Sequence, residues 1–245
     1  MNNLDRAAAA IRRAPRVAVL TGAGISVASG IPDFRSAAGL WSRYDPLEYA
    51  TLRAFRRDPR KVWRMLAEML EVLEAARPNA AHRALVHLET AGVVQGIVTQ
   101  NIDGLHQQAG SATVLEFHGG CRSLSCLGCG RRYTRGEARA LGLPPPCGCG
   151  ALLKPDIVFF GEMIPDGLFD ASRRLTARCA VLLVVGTSAE VAPANQLPWI
   201  AKQHGATVVE LNVEETQLTG TVTDIFVQGP AEATVHALAA AVSGE

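Results

Sequence analysis

The chain has little of three features that would assign it to a specialised class of protein. No apolar run is long enough to cross a bilayer, and residues 1–6 lack the basic start and apolar core of a signal peptide. A formal net charge of +1 gives no overall field for attracting nucleic acid or an anionic membrane. We therefore expect a cytoplasmic protein with no direct nucleic-acid or membrane partner.

The 245 residues, 48% of them hydrophobic, are enough to bury a large core. Short apolar runs at 17–20, 93–99, 181–185 and 207–211 alternate with stretches of helical periodicity. These helical stretches are 4–13, 59–76, 79–89 and 231–242. Strands that alternate with helices predict an α/β protein with a Rossmann-like, doubly wound parallel sheet.

Each predicted strand ends in a glycine-rich or polar segment. The segments are Gly22, Ala23 and Gly24; Gln100, Asn101, Ile102 and Asp103; Gly186, Thr187 and Ser188; and Asn212, Val213 and Glu214. Ligands of such sheets bind beyond the carboxyl ends of the strands, so the pattern favours a dinucleotide site. The first glycines depart from the usual G-x-G-x-x-G spacing, and taken alone they fit a tight strand-to-helix turn equally well.

Five of the six cysteines lie between residues 121 and 149. Cys126 and Cys129 form one pair, and Cys147 and Cys149 form a second pair after an interval of seventeen residues. This spacing predicts a zinc ribbon with four thiolate ligands and a structural role, because no open ligand position is evident. The second pair is unusually narrow, and Cys121 remains an alternative ligand.

Several blocks of the chain together resemble the sirtuins, the NAD-dependent protein lysine deacylases. The blocks are GAGIS at 22–26, GIPDFR at 30–35, TQNIDGLH at 99–106, EFHG at 116–119, VFFGE at 158–162, GTS at 186–188 and NVE at 212–214. They occur in the family's order across almost the whole chain. The resemblance implies one catalytic domain over 1–245, with a large part at about 1–35, 93–120 and 152–245. The small part then comprises a helical insertion at about 36–92 and the zinc-binding module at about 121–151.

The resemblance also implies a reaction in which NAD is consumed as a co-substrate. The acyl oxygen of a modified lysine attacks the nicotinamide ribose, and nicotinamide leaves. His118 then acts as general base on a ribose hydroxyl, and the products include free lysine and O-acyl-ADP-ribose. A histidine suits this role because it titrates near neutral pH. Asn101 and Asp103 complete the implied catalytic set.

Further site residues follow from the same resemblance. Implied NAD contacts are Gly22, Ala23, Gly24, Ser26, Asp33, Phe34, Arg35, Trp41, Gln100, Asn101, Ile102, Asp103, Gly186, Thr187, Ser188, Asn212, Val213, Glu214 and Ala231. The segment formed by Val158, Phe159, Phe160, Gly161 and Glu162 is expected to pair with an acetylated-lysine peptide as an added strand. The implied cofactors are NAD and one structural zinc ion.

The expected acyl group is neutral. Sirtuins that prefer succinyl-lysine carry a Tyr-x-x-Arg pair, whose positions are Leu66 and Met69 here. Neither side chain can pair with a carboxylate, so we expect a deacetylase with an apolar acyl pocket. Protein mono-ADP-ribosylation is a second possible function, and a non-catalytic NAD-sensing zinc-ribbon module is a third.

Overall fold

The computed structural model describes residues 2–33 and 39–244. Its strands are β1 Val17–Thr21, β2 Val94–Thr99, β3 Val114–Glu116, β4 Gly119–Cys126, β5 Arg132–Thr134, β6 Leu153–Ile157, β7 Val181–Val185, β8 Thr207–Asn212 and β9 Ile225–Gln228. Its α-helices are α1 Asn3–Arg13, α2 Pro46–Tyr49, α3 Leu52–Arg57, α4 Pro59–Ala75, α5 Ala80–Thr90, α6 Leu105–Ala109, α7 Arg135–Ala140, α8 Leu168–Ala177, α9 Leu197–Gln203 and α10 Ala231–Ser243. Short 3-10 helices cover Ala23–Ser29, Leu40–Ser42 and Ala194–Gln196. None of the helices in these ranges is both long and apolar enough to cross a membrane.

Six strands form a parallel sheet in the order β3-β2-β1-β7-β8-β9. Every residue of β1 and β7 is buried, as expected for central strands covered on both faces. One face packs against α1, α5 and α10, and the other packs against α8 and α9. The predicted α/β fold with a doubly wound parallel sheet is therefore confirmed.

The register of the central strands places the site. Thr21, the last residue of β1, lies opposite Thr99 at the end of β2 and opposite Val185 at the end of β7. The carboxyl ends of β1, β2 and β7 therefore lie side by side at the same edge of the sheet. The segments that follow them meet at a single edge of the sheet, which sequence spacing alone does not ensure.

A second layer combines α2–α4 with an antiparallel sheet in the order β5-β4-β6. Asp58 caps α4, its side chain accepting from the Lys61 amide at 2.9 Å, and Pro59 begins the helix. The buried face of α4 carries Trp63, whose indole N–H donates to the Leu153 carbonyl at 2.8 Å. This bond fixes the helical insertion to the antiparallel sheet.

Two boundaries differ from those expected. Helix α5, expected in the small part, packs its buried face against the large sheet and α10. Strand β6, expected in the large part, pairs with β4 in the antiparallel sheet. Amphipathic periodicity shows that an element has a buried face, but it does not identify the layer that covers that face.

Candidate active site at the carboxyl edge of the large sheet

The loops after β1 and β7 are in direct backbone contact. The Gly24 amide donates to the Gly186 carbonyl at 2.8 Å, and a Cβ on Gly24 would lie 2.7 Å from the Gly186 Cα. Gly186 itself has φ of 58°, which favours glycine. Both glycines are therefore required by the packing of one strand-end loop on another.

Asn101, Ser26 and Asp103 form one hydrogen-bonded chain beneath this loop. The Asn101 side-chain amide donates to the Ser26 hydroxyl and to the Gly22 carbonyl, both at 3.1 Å. Ser26 in turn donates to Asp103 at 2.7 Å, and the Leu105 amide donates to the other Asp103 oxygen at 2.9 Å. Ser26, an implied NAD contact, is fully buried and holds the carboxylate in place, so its contact with NAD stays a prediction. The network leaves Asn101 Oδ1 as a hydrogen-bond acceptor for a ligand.

His118, between β3 and β4, lies next to the segment that follows β2. Its Nδ1 is 3.0 Å from the Gln100 carbonyl oxygen. A carbonyl can only accept, so Nδ1 carries the proton and Nε2 retains its lone pair. Burial lowers the pKa of His118, with an opposing contribution from the hydrogen bond to Gln100. The ring is therefore neutral at pH 7, which is the form that a general base requires.

Thr187 joins three strand ends. Its hydroxyl accepts from the Gln100 side-chain amide at 2.9 Å, and its carbonyl accepts from the Asn212 side chain at 3.1 Å. The predicted residues after β2, β7 and β8 are thus brought together. Val213 and Glu214 are exposed beyond β8, and Ala231 is buried at the start of α10.

The motif after Gly30 is covered only in part. Phe34 and Arg35, two predicted NAD contacts, lie outside the described residues. The Leu40 amide donates a hydrogen bond to the backbone carbonyl of Asp33 at 3.0 Å. The Trp41 side chain is half-buried and packs against the helical layer. Their expected contacts with NAD therefore stay predictions.

A cavity of about 80 Å³ lies between α4 and two of the predicted catalytic residues, Asn101 and Asp103, whereas His118 is not among its lining residues. The sheet side is lined by Ala23, Ser26, Asn101, Ile102 and Asp103, and the opposite side by Ile31, Pro32, Leu40, Arg43, Glu68, Met69, Val72 and Leu73. Met69 faces the cavity as expected, whereas Leu66 is fully buried in the helical core and is not among its lining residues. Arg43 also lines the cavity, but its guanidinium is paired with Glu68 at 2.7 Å.

Sequence reasoning missed a pair of buried histidines behind the Asp103 network. The rings of His82 and His106 are 4.9 Å apart, and His106 Nε2 is 3.0 Å from the Thr21 hydroxyl. Burial lowers the pKa of His82 to about 4 and that of His106 to about 3. A single histidine on an apolar helix face carries no signal in a sequence, because an ordinary core position looks the same.

The predicted substrate segment is largely engaged within the protein. The Val158 amide donates to the His118 carbonyl at 2.8 Å, and the Phe160 amide donates to the Ala50 carbonyl at 2.9 Å. The Phe159 amide donates to the Glu162 carboxylate at 2.7 Å. These three N–H groups are donated within the protein, and the expected pairing of this segment with an added peptide strand stays a prediction. The Phe160 side chain, 45% exposed, and Met163, 89% exposed, remain accessible.

Glu162 was expected to contact substrate, yet it points inward. Its carboxylate is 2.9 Å from the ammonium group of Lys154, and both side chains are largely buried. Lys154 also donates to the Ile157 carbonyl at 2.8 Å and lies 4.7 Å from the centroid of the Phe159 ring. A buried carboxylate needs a partner of this kind, because an unpaired charge is costly to desolvate. The ion pair fixes the shape of the loop that leads to Phe160.

The four predicted cysteine ligands form one cluster. The sulfur atoms of Cys126, Cys129, Cys147 and Cys149 all lie within 4.8 Å of one another. Two sulfur–sulfur distances are 3.4 and 3.6 Å, close to the roughly 3.8 Å that Zn–S bonds of about 2.3 Å give in a tetrahedron. Cys121 is not part of the cluster and is buried in the core of the second layer, so Cys147 is the better fourth ligand.

Together, the fold and the site define a Rossmann-like α/β protein with a ligand cleft at its strand ends and an appended thiolate module. The model of the Sir2 family matches residues 22–193, well over half of the chain. The chain belongs to the Sir2 family.

Curated relatives agree with this assignment. The chain is 50% identical over 214 residues to NAD-dependent protein deacylase 2 of Pyrobaculum aerophilum, covering 87% of this chain and 85% of the relative. It is 48% identical over 225 residues to an NAD-dependent protein deacylase of Thermus thermophilus, covering 89% of this chain and 87% of the relative.

Solved structures are also similar. A complex of a Sir2 homologue with NAD has a TM-score of 0.91 and 41% identity, covering 98% of this chain and 94% of that one. A Sir2 protein with a deacetylated p53 peptide and 3′-O-acetyl-ADP-ribose has a TM-score of 0.91 and 32% identity, covering 97% of each chain. A Sir2 protein bound to a myristoylated histone peptide has a TM-score of 0.84 and 34% identity, covering 99% of this chain and 97% of that one.

Proposed function

We propose that this protein is an NAD-dependent protein deacylase with His118 as its general base. The observation that carries the proposal is the His118 hydrogen bond to the carbonyl of Gln100, the residue that follows β2, because it leaves Nε2 unprotonated. The high identity to relatives named NAD-dependent protein deacylases supports the same activity.

In this proposal NAD supplies the ribose that accepts the acyl group as nicotinamide is released. Gln100 holds the His118 ring through its carbonyl, and His118 Nε2 takes the proton of a ribose hydroxyl. Asn101 accepts a hydrogen bond from ribose or water through Oδ1, because its amide hydrogens are already donated. Asp103, oriented by Ser26, accepts from the carboxamide of the nicotinamide.

The rest of the NAD contacts are assigned to the strand-end segments. Thr187 and Asn212, already linked to each other, lie where the phosphates and the adenosine end would be held. In the same proposal Phe34 covers the NAD site and Arg35 binds a phosphate of NAD.

The cysteine cluster holds one structural zinc ion in this proposal. Two observations support zinc at this cluster: the sulfur–sulfur distances and the hydrogen-bond donors that face the sulfur atoms. The Cys149 amide and the Tyr133 hydroxyl lower the pKa of the Cys147 thiol to about 6. At Cys149 the Ala151 amide is outweighed by the neighbouring thiols, which raise the pKa of that thiol to about 11, so zinc binding would have to displace the Cys149 proton. Four reduced thiols at one site also favour a reducing compartment such as the cytoplasm.

The substrate is a protein with a neutral acyl-lysine. The cavity wall of Met69, Val72 and Leu73 favours an uncharged acyl group, and a succinyl carboxylate would have to compete with Glu68 for the Arg43 guanidinium. We therefore assign deacetylation as the main activity. Longer unbranched acyl groups are compatible with the same wall because methionine adapts its shape.

The test is substitution of the proposed base. His118→Ala should lower the turnover of an acetyl-lysine peptide about 10²- to 10⁴-fold, because proton abstraction is lost. Mass spectrometry of the peptide and of O-acetyl-ADP-ribose measures this loss. His87→Ala removes an exposed histidine from α5 and should leave turnover unchanged.

The products decide between the functions. Deacetylated peptide with O-acetyl-ADP-ribose supports the deacylase. ADP-ribose attached to protein as the main product would instead identify a transferase, and retention of activity by folded His118→Ala protein would reject His118 as the base.

A further inference from the structure

A concentrated group of arginines lies beside the proposed substrate segment. Between residues 53 and 64 the chain carries six basic residues and a single acidic one, Asp58, in a protein whose net charge is only +1. Five of the six basic residues are exposed: Arg53, Arg56, Arg57, Arg60 and Arg64. We call these five residues the arginine face.

No member of the arginine face forms an ion pair within 4.0 Å of a carboxylate of residues 2–33 or 39–244, although Lys61 and, to a smaller degree, Arg57 lower the pKa of Glu48. Lys61, the sixth basic residue, pairs with Glu48. Asp58 is occupied as the cap of α4. Like charges three and four residues apart on a helix repel, each pair costing about 0.2–0.5 kcal/mol. The fold thus tolerates an unbalanced charge at this position.

The arginine face adjoins the exposed Phe160. The Leu52 amide, at the start of α3, donates to the Phe160 carbonyl at 3.2 Å, and the Phe160 amide donates to Ala50. The buried side of α3 faces the substrate segment, because the ring centroids of Phe55 and Phe159 are 5.9 Å apart. Arg53 and Arg56 are exposed on the outer side of the same short helix. Glu162, the nearest acidic residue in the substrate segment, is neutralised by Lys154.

We propose that the arginine face binds acidic residues that flank the acylated lysine in protein substrates. This inference rests on the proposed deacylase function and adds a substrate class to it. An extended flank of about six residues spans about 20 Å, enough to run from a lysine site near Phe160 along α3. Guanidinium groups suit carboxylates because they donate in a planar fork.

The experiment compares two acetyl-lysine peptides that differ only in their flanks. One has four glutamates on one side of the lysine and the other has four glutamines, and each is made with the flank on either side. With the wild type at low salt, we expect kcat/KM to be about tenfold higher for one glutamate peptide, through KM and not kcat. High salt should remove the difference, because exposed charges are screened.

The variant Arg53→Gln with Arg56→Gln should reduce this preference at least about threefold and leave the glutamine peptide unaffected. A matched control, Arg13→Gln with Arg174→Gln, removes the same charge from exposed arginines elsewhere and should change nothing. Equal kcat/KM for glutamate and glutamine peptides, or equal losses in the two double variants, would overturn the inference.

A binding measurement separates this inference from the proposed function. Fluorescence anisotropy with unacetylated glutamate peptide reports on the arginine face even if no acyl group is turned over. Failure of turnover together with arginine-dependent binding would reject the deacylase but retain the acidic partner. Arginine-dependent binding of a DNA duplex of about 20 base pairs, without binding of the glutamate peptide, would show that the partner is a nucleic acid and overturn the inference.

Discussion

The large sheet and the cysteine module, which comprises β4–β6, α7 and the four clustered cysteines, differ in what makes their structure stable. Every residue of β1 and β7 is buried. In the cysteine module, β5 alternates between exposed and half-buried residues, and Cys129 and Cys149 are exposed. The large sheet therefore gains stability from burial of apolar surface, whereas the region around β5, Cys129 and Cys149 buries little and is expected to rely on metal–thiolate bonds.

The site lies at the carboxyl edge of the large sheet because polar groups can be satisfied there. The large sheet holds polar groups at its carboxyl edge because hydrogen bonds between loops satisfy them: Asn101 to Ser26, Ser26 to Asp103, and Gln100 to Thr187. A rigid core beneath these loops fixes their geometry. The module contributes β4 directly after His118, and so connects metal binding to the position of the proposed base.

Removal of a zinc ligand should have the largest effect and should be confined to one region. Structural zinc contributes about 10 kcal/mol or more to the folding of a small module. Cys147→Ser should lower the zinc content from one ion per chain to almost none and should abolish hydrogen-exchange protection in β4–β6. Amides of β1 and β7 should stay protected.

Cys121→Ala is the control for this experiment. Cys121 is buried outside the cluster, so its replacement should leave the zinc content intact. Loss of zinc from Cys121→Ala with retention by Cys147→Ser would reverse the assignment of the fourth ligand.

A Gly→Ala substitution should change the free energy of unfolding in opposite directions in the large sheet and in the cysteine module, by amounts smaller than the loss of zinc. Gly24→Ala introduces a Cβ 2.7 Å from the Gly186 backbone and should lower the free energy of unfolding by about 3 kcal/mol. Gly136→Ala, in α7 of the cysteine module, meets no atom within 4 Å and should be neutral or raise that free energy by up to about 1 kcal/mol. Denaturant titration of zinc-loaded protein measures both values. Similar losses at the two positions would show that the loop contact does not constrain Gly24.

The smallest effect is the change in acid sensitivity that follows replacement of one buried histidine next to the large sheet. His82 and His106 have pKa values of about 4 and about 3 when folded, below the usual 6.5, because burial disfavours the charged ring. Below pH 6.5 the unfolded chain therefore binds more protons than the folded one. The contribution of the two histidines to the free energy of unfolding is fully present above pH 6.5. As the pH falls below 6.5, each histidine lowers that free energy by up to about 1.4 kcal/mol per pH unit, until the pH passes its folded pKa.

His106→Asn tests this contribution. The free energy of unfolding, measured between pH 6.5 and 5, should fall less steeply in the variant than in the wild type, by about 1 kcal/mol per unit on average, because the unfolded histidine is only half protonated at pH 6.5. An unchanged slope would mean that the acid sensitivity arises elsewhere, for example in the thiolates of the cysteine module.

Local patterns predicted much of this molecule. The helices α1, α4, α5 and α10 and the strands β1, β2, β7 and β8 each begin and end within about two residues of the expected positions, because apolar periodicity and Pro, Asn and Gly signals lie within the segment itself. Short elements such as β3 and β9 escaped prediction, since three or four residues hold too little periodicity. The strand-end segments were also identified from the sequence.

Residue type and spacing along the chain were enough to predict the fold class, the four-cysteine site and the family motifs. Only the tertiary structure decided that Cys147 and not Cys121 joins the cluster, that Ser26 lies under Asp103, and that Glu162 turns toward Lys154. It also decided the protonated nitrogen of His118, through a carbonyl eighteen positions away. These outcomes depend on contacts between residues far apart in the chain, which the packing of strand ends and layers establishes and local sequence does not encode.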